Sequence, residues 1–388
     1  MSKIFSLQGR GLKLNTRTDI EPHLKDVPTT IEEIHLGGNT IGVEAAQTLA
    51  EFLSKTTALK VADFADIFTG RLISEIPQAL SAICDALIPK TTLIEIDLSD
   101  NAFGGRSVDP MVPFLTNNRA FRILKLNNNG LGPAGGAIVA NALLKSAELS
   151  TAAGERSNLR TVICGRNRLE DGAAPAWAAA LSAHGGLTEV RMPQNGIRMA
   201  GAAALAHGLA ACADLEHLDL QDNTFGEAGS AAMATALRSW PFLRHLNLSD
   251  CVLSDEGSSV SPVLEVLAGG SNPKLETLLL QNNNLETQSY ALLAEGLEVH
   301  LPMLKMLEVQ WNEIEEDDEG IAVLLRLMKK RGGKIILDDE EEEEEEEEEK
   351  DEEEEAKATE VGKPSKKDAA DEETDELADL LGKVQIKS

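Results

Sequence analysis

The sequence predicts an α/β solenoid, a crescent of strand-plus-helix repeats of about 28 residues that ends in a disordered acidic tail. Three observations predict it. The pattern L-x-x-L-x-L-x-x-N-x-L recurs ten times. Each copy is followed by a segment in which apolar residues return every three or four positions. Charge is segregated: of a formal net charge of −29, the segment Asp338–Ser388 carries 25 acidic against 7 basic residues, a composition that cannot bury a core.

The copies begin at Ile31, Leu59, Leu93, Phe121, Leu159, Leu187, Leu215, Leu243, Leu275 and Leu304. The alternating L-x-L is a short strand with one face buried. The Asn falls where the chain turns out of the strand, and its amide can satisfy backbone groups of the turn and of the adjacent repeat. The resulting ladder is Asn39, Ile67, Asn101, Asn129, Asn167, Asn195, Asn223, Cys251, Asn283 and Asn312. Cys is an accepted substitute in such a motif; Ile67 marks the second repeat as irregular.

Helical periodicity follows in VEAAQTLAEFLS from Val43, GGAIVANALLKSA from Gly135, GAAALAHGLAACA from Gly201, GSAAMATALRSW from Gly229 and EGIAVLLRLMKK from Glu319. A strand-plus-helix unit of this length is the long form of leucine-rich repeat, with strands expected on the concave face and helices on the convex one. Three ladder steps are longer: 34 residues from Ile67 to Asn101, 38 from Asn129 to Asn167 and 32 from Cys251 to Asn283. The first insertion falls near Arg71–Pro77, and the second reads as a polar surface loop, KSAELSTAAGERSN. Residues 1–337 are thus expected to form the repeat domain and residues 338–388 a largely disordered tail. Within that tail, residues 375–381 could form a short amphipathic helix, marginal on its own.

Composition narrows the function. Both parts are acidic, which disfavours nucleic acid. No apolar run suggests a signal peptide or a membrane span, and Cys84, Cys164, Cys212 and Cys251 lack metal spacing and read as reduced core or ladder thiols. There is no phosphate-binding G-x-x-x-x-G-K-[ST]; no cofactor and no metal are expected. His35, His217 and His245 fall at outward strand positions, where a solvated His is the plain expectation. One feature exceeds what the repeat needs. The residue before each ladder position points out at the strand's end, giving a row of Gly38, Asp66, Asp100, Asn128, Arg166, Gln194, Asp222, Asp250, Asn282 and Trp311. Hydrophilicity explains most of that row, but Asn128 stands apart, because Asn129 already fills the ladder. The residues alone support a protein-binding surface without chemistry of its own.

The segments ADFADIFTGRLISEIPQAL, LSDNAFG, LNNNGLGPAGG, VICGRNRLEDG, QNGIR, LDLQDNTFG and SWPFLRHLNLSDC carry a more specific signal. Through them the chain resembles the Ran GTPase-activating proteins, particularly the shorter fungal form, over repeats two to eight and the acidic tail. The resemblance implies a ribonuclease-inhibitor-like repeat fold and activation of GTP hydrolysis by Ran in support of nucleocytoplasmic transport. It implies orientation of the GTPase's own catalytic Gln, without an arginine finger. On this resemblance Asn128 matches the positioning Asn, and Arg71 matches an Arg that holds the GTPase. Arg168 and Asp222 match contact positions, and the neighbouring Asp100 and Arg166 join the same GTPase-binding edge. The partner would be Ran in its GTP form, alone or with a Ran-binding protein, and the chain a cytoplasmic or perinuclear monomer, with no membrane and no nucleic acid. Ile73 departs from the family, whose members can carry Lys there. The alternatives are a binding scaffold or inhibitor like ribonuclease inhibitor, whose Cys-richness and alternating repeat lengths this chain lacks, and an acidic-tailed histone chaperone, whose repeats are fewer and shorter.

Overall fold

Ten L-x-L segments become ten three-residue strands, and in each the central residue is buried: Ile34, Ala62, Ile96, Leu124, Val162, Val190, Leu218, Leu246, Leu278 and Leu307. The computed structural model describes residues 3–254, 260–314 and 318–338. One compact unit spans Met1–Asp338, and Asp339–Ser388 falls in a second; the predicted tail beyond Asp338, with its short helix, lies outside the described residues.

The strands form one parallel sheet, twelve strong among the described residues, in chain order. The sequence pattern missed the two end strands. Ile4–Ser6 pairs with Glu33–His35, and Lys334–Ile336 pairs with Met306–Glu308. Neither could be found by the ladder: Arg10 stands where the first strand would need its Asn, and the last strand runs straight into the acidic segment. Each end strand supplies hydrogen bonds to an otherwise open sheet edge. A second, two-stranded pairing joins Lys13–Leu14 to Thr40–Ile41 beside the first turn.

The predicted helices form at Val43–Lys55, Met199–Leu209, Gly226–Leu237 and Glu319–Lys330. The 38-residue step departs from expectation. Its helix spans Gly132–Ala152, so most of the supposed loop is helical. Ser146 and Ser150 are buried on this helix, and the Ser150 hydroxyl donates to the Ser146 carbonyl at 3.2 Å. Small serines on the buried face made an apolar period read as a polar one.

The ladder has the expected geometry. Asn101, Asn129, Asn167 and Asn195 are buried. The amide oxygen of each accepts the backbone N–H of the ladder residue one repeat earlier, at 2.8–3.0 Å. The Nδ2 ends donate to strand-end carbonyls, as from Asn129 to Leu98 and Leu126 at 3.0 Å. Cys251 fills its rung as a weak donor, its thiol reaching the Leu220 and Ser249 carbonyls at 3.4 and 3.3 Å. All four cysteines are free and buried; burial pushes the Cys164 thiol up to about 12 and that of Cys212 to about 11.

The histidines are not simply solvated. His35 is half-buried between Asp63 (3.1 Å) and Glu33 (3.2 Å); burial opposes its protonation, but these carboxylates outweigh it and raise its pKa. His217 and His245 stack at 4.0 Å between ring centres. Burial first, then His245 and Arg191, depress His217 to about 3. His184 is 8% exposed and lowered to about 4, chiefly by burial. A folded-state His pKa below its unfolded value of about 6.5 contributes stability above that value and loses it as pH falls. His184 alone should cost the fold about 2 kcal/mol between pH 7 and pH 5, with His35 acting in the opposite sense. Urea unfolding at the two pH values should show His184→Gln losing less stability on acidification than the parent; equal losses would remove His184 from the account.

Candidate functional site

The outward row has a backbone cause that the sequence reading did not supply. Gly38 lies at φ 73, and the nine residues that continue its row, from Asp66 to Trp311, lie at φ between 47 and 60. The left-handed region admits Gly freely and Asn or Asp at little cost, which accounts for seven of the ten. The turn is fixed by backbone bonds to the next repeat: the N–H groups of Asp100, Asn128, Arg166 and Asp222 donate to the carbonyls of Asn127, Gly165, Pro193 and Ser249 at 2.8–3.0 Å. Asn128 therefore suits its backbone, and its type alone no longer sets it apart.

Arg166, Gln194 and Trp311 are the row's exceptions, and the fifth repeat goes further. There Arg166, Arg168 and Glu170 lie at φ 56, 53 and 50. The fourth repeat uses Asn128, Gly130 and Gly132 at these places, and the third uses Asp100, Ala102 and Gly104. Holding a long side chain there costs about 1–3 kcal/mol per residue. The sequence held the signal in the alignment of RNRLE with NNGLG, where Arg168 and Glu170 replace glycines. Both arginines are exposed, and their side chains make no ion pair or hydrogen bond among the described residues.

Asp100, Asn128 and Arg166 occupy three consecutive repeats, set by the register Asp97–Lys125–Ile163 of the preceding strands. Asp222 follows two repeats on, so the row from Asp100 to Asp222 spans roughly 20 Å at the usual strand spacing. All four side chains are exposed, and Asn128 Nδ2 donates to Asp100 Oδ1 at 2.9 Å. The sheet face below them is charged: Lys125 Nζ lies 2.5 Å from Glu95 and 3.9 Å from Asp97.

Arg71 is placed differently from its neighbours on the expected edge. It is half-buried, with Nε donating to the Thr40 hydroxyl at 2.8 Å and Nη2 to the Thr40 and Leu14 carbonyls at 3.0 and 3.4 Å. It pins the second repeat's insertion to the N-terminal turn, while Leu72 and Ile73 beside it are 68% and 62% exposed. Arg71→Ala should consequently lower unfolding stability by about 1–3 kcal/mol. A thermal midpoint unchanged from the parent would contradict this structural role.

Among the described residues no cluster of three or more His, Cys, Asp or Glu is arranged to hold a metal ion, and no helix is long and apolar enough to cross a membrane. The "Leucine Rich repeat" family model matches residues 27–50, 211–234 and 241–259. A Xenopus laevis "Ran GTPase-activating protein 1" is 44% identical over 198 residues, which is 50% of this chain and 34% of that protein. A Saccharomyces cerevisiae protein of the same name is 37% identical over 203 residues, 50% of each. A Drosophila melanogaster "Ran GTPase-activating protein" is 36% identical over 198 residues, 50% of this chain and 33% of that protein. The match thus spans half or less of these relatives. Among solved structures the chain is similar to an internalin from Listeria monocytogenes, 18% identical, with a TM-score of 0.43 over 86% of both chains. The chain is therefore a leucine-rich-repeat solenoid, homologous over half of its length to proteins named Ran GTPase-activating protein.

Proposed function

We propose that this chain activates GTP hydrolysis by Ran, binding the GTP form and orienting the GTPase's own catalytic Gln while supplying no nucleophile, base or metal. The observation that carries this reading is the similarity to three curated activators at 36–44% identity. The geometry is compatible with it. An exposed amide, Asn128, sits on a rigid strand-to-turn edge between Asp100 and two exposed arginines. Orienting a partner's side chain needs only such a fixed hydrogen-bonding group, because GTP, Mg²⁺ and the attacking water belong to the GTPase. In this reading Arg166, Arg168 and Asp222 bind the GTPase, Asp100 belongs to the same GTPase-facing edge beside Asn128, and Arg71 binds after releasing or extending from Thr40. The chain acts as a cytoplasmic monomer, alone on Ran or with a Ran-binding protein. The acidic residues 338–388 keep the protein soluble and add modest steering of basic surfaces.

The test is single-turnover hydrolysis of Ran-bound GTP with the chain added well below stoichiometry. Many turnovers per molecule are expected; no acceleration would leave a scaffold or inhibitor as the better reading. Arg166 and Arg168, exposed and held by a strained backbone, favour a second reading in which one of them enters the active site. An arginine finger is worth about 10³–10⁵ in rate. Arg166→Ala and Arg168→Ala are expected instead to raise the half-saturating Ran concentration and spare the maximal rate. A thousandfold fall in maximal rate for either would establish the finger.

A further inference from the structure

We infer that Asp100 is a positioning residue that fixes which end of the Asn128 amide faces the GTPase. This rests on the reading given under Proposed function and adds the atom that does the orienting. Asn128 Nδ2 lies 2.9 Å from Asp100 Oδ1. A carboxylate can only accept hydrogen bonds, so the amide must turn its NH₂ end towards Asp100. That leaves Asn128 Oδ1 directed away, as an acceptor. A catalytic Gln has two N–H donors on its own amide; Asn128 Oδ1 accepts one of them, and the Gln carbonyl is left for the attacking water.

The backbone makes the pairing rigid. Asp100 and Asn128 both hold left-handed turns, at φ 60 and 53, and their N–H groups are tied to the carbonyls of Asn127 and Gly165. Their strands pair in register at Asp97 and Lys125. The arrangement recurs once more on the row, where Asn282 Nδ2 donates to Asp250 Oδ1 at 2.8 Å. That second pair shows the orientation to be a local property of adjacent turns, and it serves as an internal control.

The experiment compares the maximal rate and the half-saturating Ran concentration for the whole chain and for Asp100→Gly, Asp100→Asn, Asn128→Gly and the double variant Asp100→Gly/Asn128→Gly. Gly and Asn both tolerate φ 60, so the fold is expected to survive. Asp100→Gly frees the Asn128 amide to flip and should lower the maximal rate about tenfold, with half-saturation changed less than threefold. Asp100→Asn, which still accepts through its amide oxygen, should recover part of that loss. In the Asn128→Gly background Asp100→Gly should do nothing further. Asp250→Gly should match the parent.

A rise in half-saturation with an unchanged maximal rate would show Asp100 to be a plain contact and overturn the inference. So would equal effects of Asp100→Gly with and without Asn128. No acceleration by the parent chain would overturn the proposed function itself, and is distinguished by appearing before any substitution is made.

Discussion

Asn128→Gly is expected to leave the repeat array folded and to cut the acceleration of Ran GTP hydrolysis by about 10²-fold or more. The substitution is chosen by the backbone. Asn128 lies at φ 53, where Ala would add strain of about 1–2 kcal/mol and confuse a lost side chain with a moved turn. Glycine removes the amide and keeps the turn. The Asn128 N–H bond to the Gly165 carbonyl at 2.9 Å is a main-chain bond and survives. The side chain is exposed, and among the described residues its one hydrogen bond is to Asp100, so stability should change by less than about 1 kcal/mol. Under single-turnover conditions at saturating activator, the plateau rate should collapse while half-saturation moves only a few-fold. That split separates orientation from binding: a contact residue shifts half-saturation, whereas a group that acts in the transition state lowers the plateau. A variant with the parental plateau would remove Asn128 from the mechanism and leave the two exposed arginines as the groups to examine.

The repeats were legible because the leucine-rich pattern is a strict physical requirement. Leu and Ile alternate because a three-residue strand has one buried centre, and Asn recurs because one side-chain amide both accepts the preceding rung's N–H and donates to strand-end carbonyls. Where that requirement lapses, the pattern went blind. Arg10 conceals the first strand, the acidic segment follows the last, and Ser146 and Ser150 disguised two helical turns as a loop. The candidate edge was half legible. Its location follows from counting one residue back from the ladder, but its polarity, which solvation alone would explain in the sequence, is imposed by the left-handed backbone. Arg71 shows the opposite limit. Its place in the sequence gave no hint that Thr40 and Leu14, which it meets only through the fold, would hold its guanidinium. The stacking of His217 on His245 likewise needs two strands in register, information absent from either repeat alone.

Asn129→Ala, one residue away from Asn128, should have the reverse effect, destabilising the array while sparing the mechanism. Its Oδ1 accepts the Asn101 N–H at 2.9 Å, and its Nδ2 donates to the Leu98 and Leu126 carbonyls at 3.0 Å. The side chain is 0% exposed, so no water can replace it. The carbonyls keep partners, since Asn101 Nδ2 also reaches Leu98 and Asn167 Nδ2 also reaches Leu126. The Asn101 N–H does not, and an orphaned buried donor costs about 1–3 kcal/mol. The two weakened carbonyls and the small void bring the expected loss to about 3 kcal/mol. Asn129→Cys should lose less, because the chain already uses Cys251 on one rung with its thiol directed at the Leu220 and Ser249 carbonyls. In a solenoid each repeat is stabilised by its two neighbours, so a weakened fourth repeat should also broaden the urea transition. Activity measured well below the transition should remain near the parental value, because the turn that carries Asn128 is held by separate main-chain bonds. An Asn129→Ala variant within about 1 kcal/mol of the parent would refute the ladder's contribution to stability. A stable but inactive one would mean that ladder and edge act as a single unit.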